Sequence, residues 1–277
     1  MIYRKMKINI LGAGVMGKQL VALLQLFGHD VTMWSRRSPK IVEPEIDRQR
    51  RILQRKLDVA GALGGLNVVD QLAMLESALT IEALSEDLDV KRAVIRDLTY
   101  DPTIHGLLTN TSSIQPLHIH PAARGLHFFN PVFAVKMVEL AGTRDALQQL
   151  QRDLIGSLEQ NGFDVIETQD NPGYIANYVL FREIGSVLRL IDEYGYCPEV
   201  IERVLKYLGR STSALDIIDL IGVDVCYKIL FNLTRVDATF YLSPMLSEAV
   251  EAGVLGNKNR TSFRGFLKAQ AKQASGR

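Results

Sequence analysis

Residues 7–34 read KINIL-GAGVMG-KQLVALLQLFG-H-DVTMW, and this stretch decides the fold. Lys7 to Leu11 is a short apolar run closed by glycine, the pattern of a parallel strand buried on both faces. Gly12, Gly14 and Gly17 follow in the spacing G-x-G-x-x-G, and a helical apolar pattern then runs to Gly28. Asp30 to Trp34 reads as a second strand. Alone, G-x-G-x-x-G is a weak signal. Between a strand and a helix it gains physical meaning, because glycines let the backbone approach a pyrophosphate that the helix N-terminus stabilises. Gly12, Gly14, Val15, Met16 and Gly17 are therefore candidate dinucleotide contacts.

Further short apolar runs occupy 79–84, 106–108, 126–129, 137–140 and 164–166, several of them separated by helical stretches. The expected fold is α/β, a Rossmann-type doubly wound, mostly parallel sheet followed by an all-α C-terminal domain. Beyond Asn171-Pro172-Gly173 the pattern becomes helical, over 174–194, 198–208, 216–233 and 245–252. This places a dinucleotide-binding domain at 1–171 and a helical substrate-binding and dimerisation domain at 172–277. The basic, small-residue tail after Leu267 is expected to fray.

With 277 residues, 47% hydrophobic, the chain suits two ordinary domains. A net charge of +1 offers no general attraction to nucleic acid. No apolar run nears the roughly 18 residues of a membrane span. The first residues lack a signal-peptide pattern. Cys197 and Cys226 stand far apart without C-x-x-C, so neither a disulfide framework nor a zinc site is indicated, and the expected compartment is the cytoplasm. His118 and His120 stand two apart with no carboxylate cluster and read as turn residues rather than metal ligands.

Where the second strand ends, an acidic residue ordinarily takes the ribose 2′-hydroxyl of NAD. Ser35 stands there, followed by Arg36 and Arg37. Without the carboxylate a 2′-phosphate is not repelled, and a guanidinium supplies a bidentate partner for it. NADP is the expected cofactor, with NAD retained as the alternative if the arginine pair is merely solvated. Asn110, at the end of a later strand, lies where doubly wound sheets place ligands.

Three polar interruptions of apolar runs carry the chemistry: Asn110-Thr111-Ser112-Ser113, then Gly125-Leu126-His127-Phe128-Phe129-Asn130-Pro131, then Lys136-Met137-Val138-Glu139. A buried histidine and a buried carboxylate are costly unless they serve each other or a ligand. Paired, they form a general base, the carboxylate fixing the tautomer and stabilising the imidazolium.

In this order the strings NTSS, GLHFFNP and KxVE resemble the L-3-hydroxyacyl-CoA dehydrogenase family, and the resemblance runs along nearly the whole chain. It implies that His127 is the general acid/base, that Glu139 orients it, and that Ser112 and Asn177 hydrogen-bond the reacting oxygens. In that reading Asn177, in the first turns after NPG, lets the helical domain close over the nicotinamide. The resemblance further implies cofactor contacts at Ala83, Glu86 and Lys91, in a segment similar to the family's EAxxExLxxK. It also implies a helical arm, between the second strand and a third, that contacts the CoA nucleotide; Arg48, Arg51 and Arg55 recur along it at helical spacing and are the candidates to hold its phosphates, with a solvated charged face as the plainer alternative.

The chain departs from the family pattern in its shorter arm, in Ser213-Ala214, and in Gly256-Asn257-Lys258-Asn259-Arg260-Thr261-Ser262-Phe263 near the C-terminus. Three expectations remain open. The leading one is a homodimeric dehydrogenase of a short 3-hydroxyacyl-CoA. The second is a biosynthetic relative acting on an acyl carrier protein thioester, as in hydroxymalonyl-unit formation. The third is a nucleotide-binding structural or regulatory protein without turnover.

Overall fold

The computed structural model describes residues 4–57 and 62–275, with side chains to 272. The chain divides into two compact units, Met1–Tyr174 and Ile175–Arg277. The first begins β1 (Lys7–Leu11), α1 (Val15–Leu26), β2 (Asp30–Trp34), α2 (Pro39–Lys56), β3 (Leu66–Val69) and β4 (Leu79–Glu82). It continues α3 (Leu88–Arg96), β5 (Leu107–Thr109), α4 (Pro116–Ile119), β6 (Ala123–Phe128), β7 (Met137–Ala141), α5 (Gln149–Gln160) and β8 (Asp164–Thr168). Eight strands form one sheet in the order β3-β2-β1-β4-β5-β6-β7-β8. The first six are parallel; β7 runs antiparallel to β6, and β8 is parallel to β7.

Side-chain alternation along these strands supplies two cores. Ile8, Ile10, Val31, Met33, Leu126, Phe128, Val138 and Leu140 face α1, α2 and α5. Leu11, Trp34, Leu107 and Ala123 face the opposite way, with Ile95 of α3 and Ile119 of α4. The sequence reading sets a third strand after the charged arm but no range for it: at four residues, one of them Asn67, β3 offers too short an apolar run to delimit.

The second unit is helical: α6 (Ala176–Asp192), α7 (Pro198–Tyr207), α8 (Ala214–Ile221), α9 (Val223–Val236), α10 (Pro244–Glu251) and α11 (Phe263–Ser275). Phe181, Ile184, Leu188, Leu215, Ile218, Leu230, Leu246 and Phe263 form its core. The periodicity over 216–233 predicts one helix, whereas the structure breaks it at Gly222, whose φ of +107° lies outside any helix. The tail expected to fray after Leu267 instead continues α11 to Ser275; residues 276 and 277 lie outside the described residues. Among the described residues, no helix is long and apolar enough to cross a membrane.

Candidate active site

The strand order reverses between β1 and β4, and at such a switch point ligands lie beyond the carboxyl ends of the strands. Backbone bonds carry the ladder past those ends: the Gly12 N–H donates to the Trp34 carbonyl (2.9 Å), Ala83 to Leu11 (2.9 Å) and Asn110 to Glu82 (2.8 Å). Gly12 adopts φ +110°, and a Cβ there would lie 2.7 Å from the Ala83 carbonyl oxygen. At Gly17 a Cβ would collide with the Gly12 carbonyl, so the turn and α1 can approach only without side chains. A Cβ on Gly14, by contrast, would meet nothing nearer than 4.0 Å. Helix α1 starts at Val15 with no side-chain cap, which leaves its first N–H groups to a ligand. An uncapped helix start beside an open glycine fits a pyrophosphate.

At the end of β2, Ser35 is buried and its Oγ accepts the Arg37 N–H (3.0 Å). The Arg37 guanidinium grips Glu45 of α2 through two bonds (2.9 and 2.5 Å), and Lys18 Nζ reaches the same carboxylate at 2.7 Å. Held chiefly by Arg37, the Glu45 carboxyl is lowered to about 2. Arg36 is exposed and makes no hydrogen bond or ion pair among the described residues. Of the two arginines, it is the one with an uncommitted guanidinium.

A buried charge network underlies the NTSS turn. Lys91 Nζ, 1% exposed, donates to both oxygens of Glu82 (2.7 and 2.9 Å) and lies 3.6 Å from Glu86. Burial alone would lower the Lys91 ammonium, but the two carboxylates outweigh it and hold its pKa above the ordinary lysine value. Glu82 also accepts the Thr109 hydroxyl (2.5 Å) and the Leu84 N–H (2.5 Å). Glu86 accepts the Thr111 hydroxyl (2.8 Å), the Ser112 N–H and the Ser113 N–H (3.1 Å), and so gathers the turn on one carboxylate.

Glu86 and Lys91, read from the sequence as cofactor contacts, thus have polar atoms that the protein itself engages. Asn110 Oδ1 accepts the Phe128 N–H (2.9 Å), tying the end of β5 to β6. Sequence reasoning passed over Glu82, although a carboxylate inside the apolar run LTIEAL with a lysine nine residues on was there to be noticed.

His127 and Glu139 are register partners across β6 and β7, and His127 Nδ1 lies 2.9 Å from Glu139 Oε2 with both side chains 3% exposed. A carboxylate can only accept, so the contact places the ring proton on Nδ1. Phe129 meets the imidazole edge-on at 4.7 Å, and Tyr174 stacks on it at 4.8 Å with planes 2° apart. Ser112 sits on the turn beyond β5, the parallel neighbour of β6. Asn177 is buried on the first turn of α6, in the second unit. Arg48, Arg51 and Arg55 are exposed along α2 and carry no ion pair among the described residues. His118 and His120 belong to no metal-holding group among the described residues.

A doubly wound sheet with an open glycine turn at its switch point and a buried imidazole–carboxylate pair on neighbouring strands defines the class of dinucleotide-dependent dehydrogenases. Residues 7–171 match the 3-hydroxyacyl-CoA dehydrogenase NAD binding domain, and residues 173–266 match the 3-hydroxyacyl-CoA dehydrogenase C-terminal domain. The chain belongs to the 3-hydroxyacyl-CoA dehydrogenase family, as an oxidoreductase that takes a nicotinamide cofactor.

It is 28% identical over 285 residues to a probable 3-hydroxybutyryl-CoA dehydrogenase of Bacillus subtilis (strain 168), covering 96% of this chain and 98% of that one. It is 29% identical over 290 residues to the 3-hydroxybutyryl-CoA dehydrogenase of Clostridioides difficile, covering 95% and 100%. The crystal structure of M. tuberculosis FadB2 superposes with a TM-score of 0.78 at 25% identity, covering 94% of this chain and 99% of that one.

Proposed function

We propose that this chain interconverts a short 3-hydroxyacyl-CoA and the corresponding 3-ketoacyl-CoA. Bound nicotinamide supplies hydride exchange with the substrate's C3. His127 Nε2 takes the hydroxyl proton in oxidation and returns it in reduction, while Glu139 keeps Nδ1 protonated and stabilises the imidazolium. The Ser112 hydroxyl donates to the reacting oxygen, where charge develops. Asn177, at the start of α6, is proposed for the same role. The observation that carries this reading is the buried 2.9 Å pair of His127 and Glu139. The names of the relatives support a short acyl group.

Three finer assignments accompany it. NADP is the proposed cofactor, supported by Ser35 in place of an acid and by the uncommitted Arg36. Arg48, Arg51 and Arg55, exposed and unpaired among the described residues, are proposed to hold the phosphates of the CoA nucleotide. A homodimer is proposed as the working form, supported by the exposed Val200, Val204 and Tyr207 along α7.

His127→Ala and Glu139→Gln each test the central claim with acetoacetyl-CoA. Turnover should fall at least about a hundredfold, the lower range for a general acid/base group, while cofactor affinity measured by fluorescence titration stays nearly unchanged. Turnover within a few-fold of wild type, or loss of cofactor binding, removes His127 from the role. Cofactor binding by the wild type without turnover of any thioester points to a non-catalytic nucleotide-binding protein.

A further inference from the structure

We propose that Tyr174 is a positioning residue for the His127 imidazole, and that Gly125 is glycine to admit its ring. The proposal rests on His127 being the acid/base group. Alternation along β6 sets Gly125 two residues from His127 on one face of the sheet, and their partners across β7, Ala141 and Glu139, share that face. Tyr174 covers this face. Its ring lies parallel to the imidazole at 4.8 Å, and a Cβ built on Gly125 would collide with Tyr174 Oη and stand 2.8 Å from Cε1. Gly125 is not among the positive-φ glycines, so the space above it, not the backbone, excludes a side chain there.

Two observations set this tyrosine apart from ordinary packing. Its backbone adopts φ +50°, a left-handed conformation that bulky residues rarely hold, in a turn closed by the Tyr174 N–H on the Asn171 carbonyl (3.0 Å). Its hydroxyl is buried with no hydrogen-bond partner among the described residues. Burial, and then the surrounding carboxylates Glu86, Asp170, Glu139 and Glu82, hold the phenol well above its ordinary pKa, so it stays neutral. The hydroxyl therefore does not explain why the ring is held here.

The ring face does. Stacked on one side, met at its edge by Phe129 and held through Nδ1 by Glu139, the imidazole is confined to one plane. Tyr174 thereby fixes the direction in which His127 presents its ring edge to the substrate.

The test is the split between kcat and KM for acetoacetyl-CoA reduction, with cofactor affinity as the control. Tyr174→Leu should lower kcat about ten- to a hundredfold, the cost of a small misplacement of the reacting group, with little change in KM or in cofactor affinity. Tyr174→Phe, which keeps the ring and removes the unpartnered hydroxyl, should restore kcat and melt no lower than wild type. Gly125→Ala displaces the same ring from the strand side without touching residue 174, and carries the test if Tyr174→Leu is too unstable to assay. A kcat unmoved in Tyr174→Leu, or in Gly125→Ala when that variant carries the test, overturns the proposal; so does failure of Tyr174→Phe to restore it. If His127→Ala retains turnover, the underlying reading fails instead, and the two failures are told apart.

Discussion

Arg36→Ala should separate the two nicotinamide cofactors, and the structure sets both the size and the specificity of the effect. Ser35 removes the repulsion that an acidic residue would present to a 2′-phosphate, and its Oγ is turned to the Arg37 N–H. The Arg37 guanidinium is spent on Glu45, which Lys18 also grips, so its release would break a formed pair. Arg36 alone stands exposed without a partner among the described residues. A charge-assisted hydrogen bond contributes about 1.5–3 kcal/mol net. At about 1.4 kcal/mol per decade that is roughly 10- to 150-fold in kcat/KM. Solvent screening at this exposed position puts the expectation at the lower end, about tenfold.

The assay is steady-state reduction of acetoacetyl-CoA with NADPH and NADH side by side. NADPH should be preferred by wild type, and Arg36→Ala should lower kcat/KM for NADPH alone. Arg37→Ala should leave the cofactor ratio nearly unaltered. Added salt should erode the NADPH preference. Ser35→Asp with Arg36→Ile should reverse it, since aspartate keeps an acceptor for the residue 37 N–H and repels the phosphate. A wild type that prefers NADH, together with an Arg36→Ala variant unchanged on both cofactors, would refute the assignment and return Arg36 to solvent.

Replacing Arg48, Arg51 and Arg55 together by Ala should raise KM for acyl-CoA strongly and leave KM for the N-acetylcysteamine thioester unaltered; an unchanged acyl-CoA KM would point instead to an acyl carrier protein substrate. Glu82→Leu leaves the Lys91 ammonium buried with only the more distant Glu86, and removing one partner of a buried pair costs about 3–5 kcal/mol, which urea unfolding would read directly.

His29 links stability to pH. Its Nδ1 accepts the Met6 N–H and its Nε2 bonds the Ser157 hydroxyl, an arrangement of the neutral ring. Burial lowers its pKa, with Asp30 opposing more weakly. The unfolded chain therefore takes up the proton first, near about pH 6.5, and stability present above that value is lost as pH falls toward the depressed native pKa. Urea midpoints of wild type should drop more between about pH 7.5 and pH 5.5 than those of His29→Gln; parallel curves would contradict this.

Much of the fold was legible because its signals are local. A run such as KINIL, a glycine turn and the apolar stripe of α1 each declare themselves within a dozen residues, as do β2 and the polar interruptions at His127 and Glu139. Strand β3 had no legible bounds because an edge strand of four residues needs little apolar sequence. The break between α8 and α9 was lost because periodicity runs through Gly222 while its backbone leaves the helix.

By itself, the order of residues determined the class of sheet, the dinucleotide turn and the family, since each depends on residue types at short, fixed spacings. Only the tertiary structure decided which polar groups spend themselves on one another. Arg37 binds Glu45 while Arg36 stays uncommitted, Lys91 lies between Glu82 and Glu86, and Tyr174 covers His127 from 47 residues away along the chain. Those contacts join segments distant in sequence, and their energies depend on distance and burial, which exist only once the sheet has brought its strand ends together.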